Sequence, residues 1–255
     1  MSKVLIGLPI YKRAWIAPYW LQAIEKQSIG TENLGFIFEF GQNDKETQDI
    51  LWAWHSEHPE ISVFDGNITK GVTHKEHREG TRMWNPMRYY HMVYMRNSLL
   101  DRATAMSDQF DYYFSLDSDI ILSDTETIDK LISKSEDNPG KVISPLTQMM
   151  PKSEKNPNGT AYPSIMSWKY DPGGIAYRRD DYPIGTSFDA DIVMAAVFMP
   201  KEIFTQVRYI QHKQGEDLGF AAMLSKYNFG SIAASDINAD HIMHRYMLNN
   251  KSVIV

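Results

Sequence analysis

No cysteine occurs in the 255 residues, which excludes disulfides and thiolate metal sites and suits a reducing compartment. No apolar run reaches the roughly 20 residues that span a bilayer. The longest apolar, uncharged run, Ile192 to Pro200, is far shorter, and the apolar stretch Val4 to Leu8 is too short for a signal peptide. A soluble, cytoplasmic protein with no transmembrane segment is the expectation. Positive charge is not in excess: 26 Lys and Arg against 32 Asp and Glu leave a net charge of −6. No chain-wide basic field therefore recruits nucleic acid or anionic lipid. Lys152, Lys155, Lys169, Arg178 and Arg179 form a local basic stretch, which reads as a solubilising surface loop. Neither a Walker sequence nor Gly-x-Gly-x-x-Gly is present, which disfavours P-loop and dinucleotide enzymes.

What is present is an alternation of strand-like and helix-like segments over the first 145 residues, the pattern of a mostly parallel α/β sheet. Strands are expected at Val4 to Leu8 (ended by Pro9), Leu34 to Phe40, Ile61 to Phe64, Tyr112 to Leu116 and Val142 to Pro145. Helices are expected at Pro18 to Gln27, Lys45 to His58, Met87 to Met106 and about Asp124 to Ser135. Pro, Gly, Lys and aromatic residues without a steady period fill Thr147 to Ser187, and so long an irregular stretch is usually a functional loop or lid. Beyond it follow an expected strand at Asp191 to Met199, helices at Lys201 to Tyr209 and Glu216 to Tyr227, and a strand at Ser231 to Ala234. One domain over 1–255 is expected, divided in role between 1–145 and 146–255.

The residues with the most chemistry are Asp117-Ser118-Asp119, which directly follow the aromatic strand Tyr112 to Leu116. Ligands of open α/β sheets bind outside the carboxyl ends of the strands. Two carboxylates so close repel, and a bound Mg²⁺ or Mn²⁺, a hard cation that keeps open positions for phosphates, relieves that repulsion. The competing reading makes them caps for the helix after Ser123. Arg96 falls inside the apolar stripe of the third helix, with Tyr89, Met92, Val93, Leu99, Leu100 and Ala103. A guanidinium there needs an anion, either a nucleotide phosphate or an internal carboxylate such as Asp101 or a strand-end Asp. Glu216 and Asp217 open a helix after Gly215. The helix dipole favours ionised carboxylates at that end, and such a carboxylate can accept a proton from a substrate hydroxyl. His241 and His244 stand three apart, as do His74 and His77. An imidazole is a plausible third ligand beside carboxylates, and the first pair on one helical turn would suit zinc.

These elements occur in a set order: Gly7-Leu8-Pro9-Ile10-Tyr11-Lys12-Arg13, Glu39 at the end of the second strand, Arg96-Asn97 before Leu99-Leu100, Leu116-Asp117-Ser118-Asp119, Gly215-Glu216-Asp217 and late His241-x-Met243. The order resembles the nucleotide-sugar glycosyltransferases of the GT-A fold, especially glycosyltransferase family 2. The resemblance covers nearly the whole chain except the loop Thr147 to Ser187. It implies a single GT-A (Rossmann-like) domain with a long acceptor-side loop, a nucleotide-diphosphate sugar as donor and Mn²⁺ or Mg²⁺ as cofactor. The acceptor would be a hydroxyl on a glycan, protein, lipid or modified nucleic-acid base. Pro9 and Tyr11 would lie beside the base and ribose, and Arg13, Arg96 and Ser118 belong to the implied donor site. Glu39 stands where the family usually has a base-recognising aspartate. Asp117 would be shared between ribose and metal, Asp119 and His241 would hold the metal, and Asp217, or second Glu216, would be the catalytic base of an inverting transfer. Retaining transfer, or a sugar-nucleotide-binding protein without turnover, are the alternatives. Trp168, Tyr170, Tyr177 and Tyr182 either stack on an acceptor or pack the loop down.

Overall fold

Val4, Ile6, Leu8 and Ile10 put apolar side chains on one face of the first strand, and the opposite face is as dry, so the segment can lie only inside a sheet covered on both sides. In the computed structural model, β1 (Val4–Ile10) is buried at every position. The structure describes residues 2–69, 86–150, 160–161, 165–167, 177–178 and 185–250. The strand passes through Pro9 instead of stopping there. Alternate residues of a parallel strand bond to opposite neighbours, and the Ile10 carbonyl bonds toward the second strand, so the Pro9 nitrogen faces the other side. Pairing on that side ends at Gly7, so the N–H that proline lacks is not needed.

The following elements are α1 (Ala17–Glu25), β2 (Leu34–Phe40), α2 (Lys45–Glu57), β3 (Phe64–Ile68), α3 (Pro86–Ala105), β4 (Tyr112–Leu116), β5 (Ile120–Ile121), α4 (Thr127–Asp137) and β6 (Lys141–Met150). Three short strands, β7 (Thr160–Ala161), β8 (Ile165–Ser167) and β9 (Tyr177–Arg178), precede β10 (Ser187–Ala190), β11 (Ile192–Val193) and β12 (Ala196–Pro200). Then come α5 (Lys201–Phe204), α6 (Glu216–Lys226) and β13 (Gly230–His241). The main sheet runs β10-β13-β6-β12-β4-β1-β2-β3. Its β4-β1-β2-β3 half is wholly parallel, as is β13 with β6, whereas β12 and β10 run antiparallel to their neighbours. The sheet is therefore mixed, with its parallel half built from the first part of the chain.

Two apolar clusters lie on the two faces. One holds Trp20, Leu21 and Ile24 of α1 with Phe36, Phe38 and Trp54. The other holds Leu99, Leu100 and Ala103 of α3 with Tyr209 and Phe220.

Five further boundaries differ from the sequence reading. The third strand lies at Phe64–Ile68, not Ile61 to Phe64, because pairing with Phe36 to Phe40 of β2 sets it, and as an edge strand it is largely exposed. The stretch Asp191 to Met199 is not one strand. It breaks at Ala195, whose φ is 67°, and its two pieces join different sheets. The helix expected from Lys201 ends at Phe204. The last strand runs on from Ala234 to His241, past a register shift between Ala234 and Asn238. Thr147 to Met150 extend β6 into the expected loop. Lys152, Lys155, Lys169, Arg179, Trp168, Tyr170, Tyr182, His74 and His77 lie outside the described residues, as do the side chains of Tyr177 and Arg178.

Candidate active site

The carboxyl end of β4 is fixed from both directions. The Asp117 N–H donates to the Ala195 carbonyl at 2.8 Å, and the Ile120 N–H returns to the Asp117 carbonyl at 3.0 Å. The left-handed Ala195 thus has a local use: the turn that breaks β11 from β12 offers its carbonyl to the Asp-x-Asp segment. After this turn β5 pairs with the end of β13, His241 opposite Ile120, and the Ile242 N–H donates to the Asp119 carbonyl at 2.7 Å. Backbone pairing alone therefore brings Asp119 and His241 together. Their side chains meet at 3.3 Å, His241 Nε2 to Asp119 Oδ1. His241 ends a strand and His244 is exposed beyond it, so the two do not share a helical turn. The caps of α4 are not Asp117 or Asp119 either, since Asp124 makes that turn.

Each carboxylate of the pair also faces an arginine. Arg13 Nη2 donates to Asp119 Oδ2 at 2.8 Å, and Arg96 Nη2 donates to Asp117 Oδ1 at 2.8 Å. The side chain of Asp119 is 7% exposed and that of Asp117 28%, so one carboxylate is closed in and the other opens to solvent. Ser118 between them is buried. Arg96 is buried too; it donates to Ser115 Oγ at 3.1 Å, lies 3.7 Å from Glu216 Oε1 through Nε and sits 5.4 Å over the Tyr209 ring. Burial opposes its charge, but Asp117, Tyr209, Asp217 and Glu216 outweigh that and hold its pKa well above the ordinary value. Of the two anions the sequence allowed, the internal carboxylate is the partner, while Asp101 pairs with Arg208 instead.

Gly215, at φ 132°, opens α6 and positions Glu216 and Asp217. Glu216 is buried, and burial raises its pKa against the lowering effect of Arg96. Asp217 is half-buried as a residue. Burial of its carboxyl, then the neighbouring Glu216 carboxylate, raises its pKa well above the usual carboxylate range. The helix-dipole expectation of an ionised Asp217 is thus outweighed by desolvation and by a like charge next to it.

Glu39 pairs in register with Pro9 but is buried. Its Oε2 accepts from Thr69 Oγ1 at 2.9 Å, and its Oε1 accepts from Ser98 Oγ and faces Arg102 at 3.7 Å. The glutamate side chain thus reaches α3 and is held there. Tyr11 packs against Gly41, where a Cβ would lie 2.2 Å from Tyr11 Cδ2. Lys12 has φ 54°, held by its N–H donating to Asp44 Oδ2 at 2.6 Å. A cavity of about 440 Å³ lies against the same loop, lined by Lys12, Ala14, Trp15, Asn43, Asp44, Glu46 and Arg245; Asp117, Asp119, Glu216 and Asp217 are not part of it.

Asp119 and His241 offer an oxygen and an imidazole nitrogen converging on one point, a donor pair suited to Mg²⁺ or Mn²⁺. Among the described residues no group of three His, Asp or Glu forms a cation cage. The set fits an ion whose other positions are filled by diphosphate oxygens and water, as is usual for these cations. Sequence reasoning missed Ser115, Ala195 and Tyr209. Only Ser115 carried a signal, as the one polar residue in a buried strand.

Residues 1–149 match the family described as glycosyltransferase family 25, N-terminal domain. A "Glycosyltransferase 25 family member" from Aedes aegypti is 26% identical over 133 residues, 51% of this chain and 21% of that protein. The chain thus spans about a fifth of the curated relative it matches. The fold also matches solved structures at low identity. The mannosyltransferase PcManGT from Pyrobaculum calidifontis, in complex with GDP-Man and Mn²⁺, gives a TM-score of 0.59 at 11% identity, over 95% of this chain and 57% of that one. GalNAc-T7 with UDP, GalNAc and Mn²⁺ gives 0.64 at 10%, over 96% and 44%. S. aureus TarS 1-349 gives 0.56 at 14%, over 94% and 60%. The architecture is the GT-A-like fold of these glycosyltransferase structures.

Proposed function

This chain belongs to the glycosyltransferase family 25, N-terminal domain, family, and from that premise we propose that it transfers a sugar from a nucleotide-diphosphate sugar to a hydroxyl acceptor, with a divalent cation and with inversion. The observation that carries the reading is the pairing of Asp119 with His241 at the carboxyl end of β4, next to Asp117, which Arg96 ties to Glu216. The Mn²⁺ in two of the solved structures of this fold supports Mn²⁺ as the cation here. Asp119 and His241 hold it, and Asp117, the more exposed carboxylate, is shared with the donor's ribose. When bound, the cation neutralises charge on the departing diphosphate.

In the transfer, the acceptor oxygen forms a bond to the anomeric carbon as the bond from that carbon to the diphosphate oxygen breaks. The bonding electrons leave with the nucleoside diphosphate. The acceptor proton passes to the Asp217 carboxylate, which must be ionised to take it. Arg96 positions Asp117 and Glu216 with one guanidinium. Pro9 and Tyr11 line the base and ribose side. Glu39 supports that side from below, because its carboxylate is already bound by Thr69 and Ser98.

A binding protein without turnover would use the same donor groups but would not release nucleoside diphosphate. Supplying UDP- and GDP-sugars with Mn²⁺ and a panel of glycan, peptide, lipid and nucleic-acid hydroxyl acceptors, and measuring UDP or GDP release, separates the two. Acceptor-dependent release supports transfer. Donor binding with no release from any pair contradicts it.

A further inference from the structure

Asp119 has different partners on its two oxygens, and one of them is itself a cation. His241 Nε2 approaches Oδ1 at 3.3 Å and Arg13 Nη2 approaches Oδ2 at 2.8 Å. A carboxylate this deeply buried is costly without a positive partner, and Arg13 is such a partner. A divalent cation on Asp119 would lie within a few ångströms of this guanidinium, with twice the repulsion of a unit pair. Both cannot hold the same carboxylate at full strength.

Arg13 is built to let go. Its backbone is fixed: the N–H donates to Thr47 Oγ1 at 3.0 Å, and its carbonyl accepts from Ile16 and Ala17, both at 2.9 Å, at the start of α1. Any movement is therefore confined to the side chain, which is 21% exposed against 3% for Arg96. Among the described residues its buried Nε–H has no acceptor. The guanidinium thus makes one strong bond and keeps a donor in reserve, and its planar fork suits a phosphate as well as a carboxylate.

We propose that Arg13 is an internal counter-ion for Asp119 that yields to the divalent cation and moves onto the donor's diphosphate, so that cation and nucleoside diphosphate load cooperatively. The proposal rests on the reading that Asp119 holds the cation. It assigns Arg13 two successive partners, Asp119 in the empty chain and diphosphate oxygens in the loaded one.

The test is Mn²⁺ binding, followed by the electron paramagnetic resonance of free Mn²⁺, with and without UDP or GDP, for the wild-type chain, Arg13→Met, Arg13→Gln and Asp119→Asn. In the wild type, Mn²⁺ alone binds weakly and nucleotide tightens it. In both Arg13 variants Mn²⁺ alone binds roughly tenfold tighter, and the tightening by nucleotide shrinks. Mn²⁺ also raises the melting temperature of the Arg13 variants more than that of the wild type, because it replaces a lost positive partner. Unchanged or weaker Mn²⁺ binding by both Arg13 variants, with Asp119→Asn losing it, overturns the counter-ion role and leaves the cation site standing. Wild-type Mn²⁺ binding by Asp119→Asn overturns the cation site itself.

Discussion

Arg96 Nη2 and Asp117 Oδ1 lie 2.8 Å apart at the end of β4, and the same guanidinium reaches Glu216 at 3.7 Å through Nε. One buried cation therefore ties the strand end that carries Asp117 to the helix start that carries Glu216 and Asp217. Without it, the Asp117, Glu216 and Asp217 carboxyl groups would act on one another with no positive charge between them.

Removing that cation leaves buried carboxylates uncompensated. Arg96→Leu is expected to lower unfolding free energy by about 3–5 kcal/mol, read as a shift of the urea midpoint. Arg96→Lys should rescue only part of this, since an ammonium cannot span Ser115, Asp117 and the direction of Glu216 together.

Gly219 offers a test of how tightly α6 is placed. A Cβ there would lie 1.9 Å from the Ile210 carbonyl oxygen, a backbone atom that cannot turn away. Gly219→Ala is expected to cost about 1–3 kcal/mol as overpacking and to displace the helix that bears Glu216 and Asp217. Thermal melting gives the first effect. A fall in kcat larger than the fall in donor affinity gives the second.

How much of this was legible in the sequence depended on burial. β2 and β4, covered on both faces, match their apolar runs to the residue. The edge strand β3 was displaced because its partner, and not its hydropathy, sets it. The extension of β13 was written as alternation, with Ile237, Ala239 and His241 buried and Asp236 and Asn238 exposed. Its polar residues and register shift hid it. The approach of Arg13 to Asp119 joins residues 106 apart, and the left-handed turn at Ala195 uses a residue that gives no local warning. The use of Glu39 against α3 rests on Ser98 and Arg102, one helical turn apart, whose meaning appears only once the helix is docked.

The raised pKa of Asp217 gives a pH dependence with a definite sign. Burial first, then Glu216, favours the neutral carboxyl. The stability associated with Asp217 is thus complete below the ordinary carboxylate range and is lost as pH rises through its raised value. Over the same rise the base form appears, so kcat/KM should climb along a limb displaced above that range. Asp217→Asn should remove the limb, lower turnover roughly 10² to 10⁴ fold and flatten the loss of stability with pH. A profile whose limb survives in Asp217→Asn would assign the base elsewhere, first to Glu216.

The stereochemistry of transfer follows from the same assignment. A base on the acceptor side gives a product of inverted anomeric configuration, which proton NMR of the first product reads directly. Retention would set aside Asp217 as the base.

The most direct measurement is the initial rate of nucleoside-diphosphate release from a productive donor–acceptor pair, in Mn²⁺ and in EDTA, for the wild-type chain and Asp119→Asn. The expected result is release by the wild type in Mn²⁺, its loss in EDTA, and its loss in Asp119→Asn even with Mn²⁺ saturating. Equal rates in Mn²⁺ and EDTA, or a wild-type rate in Asp119→Asn, would contradict it.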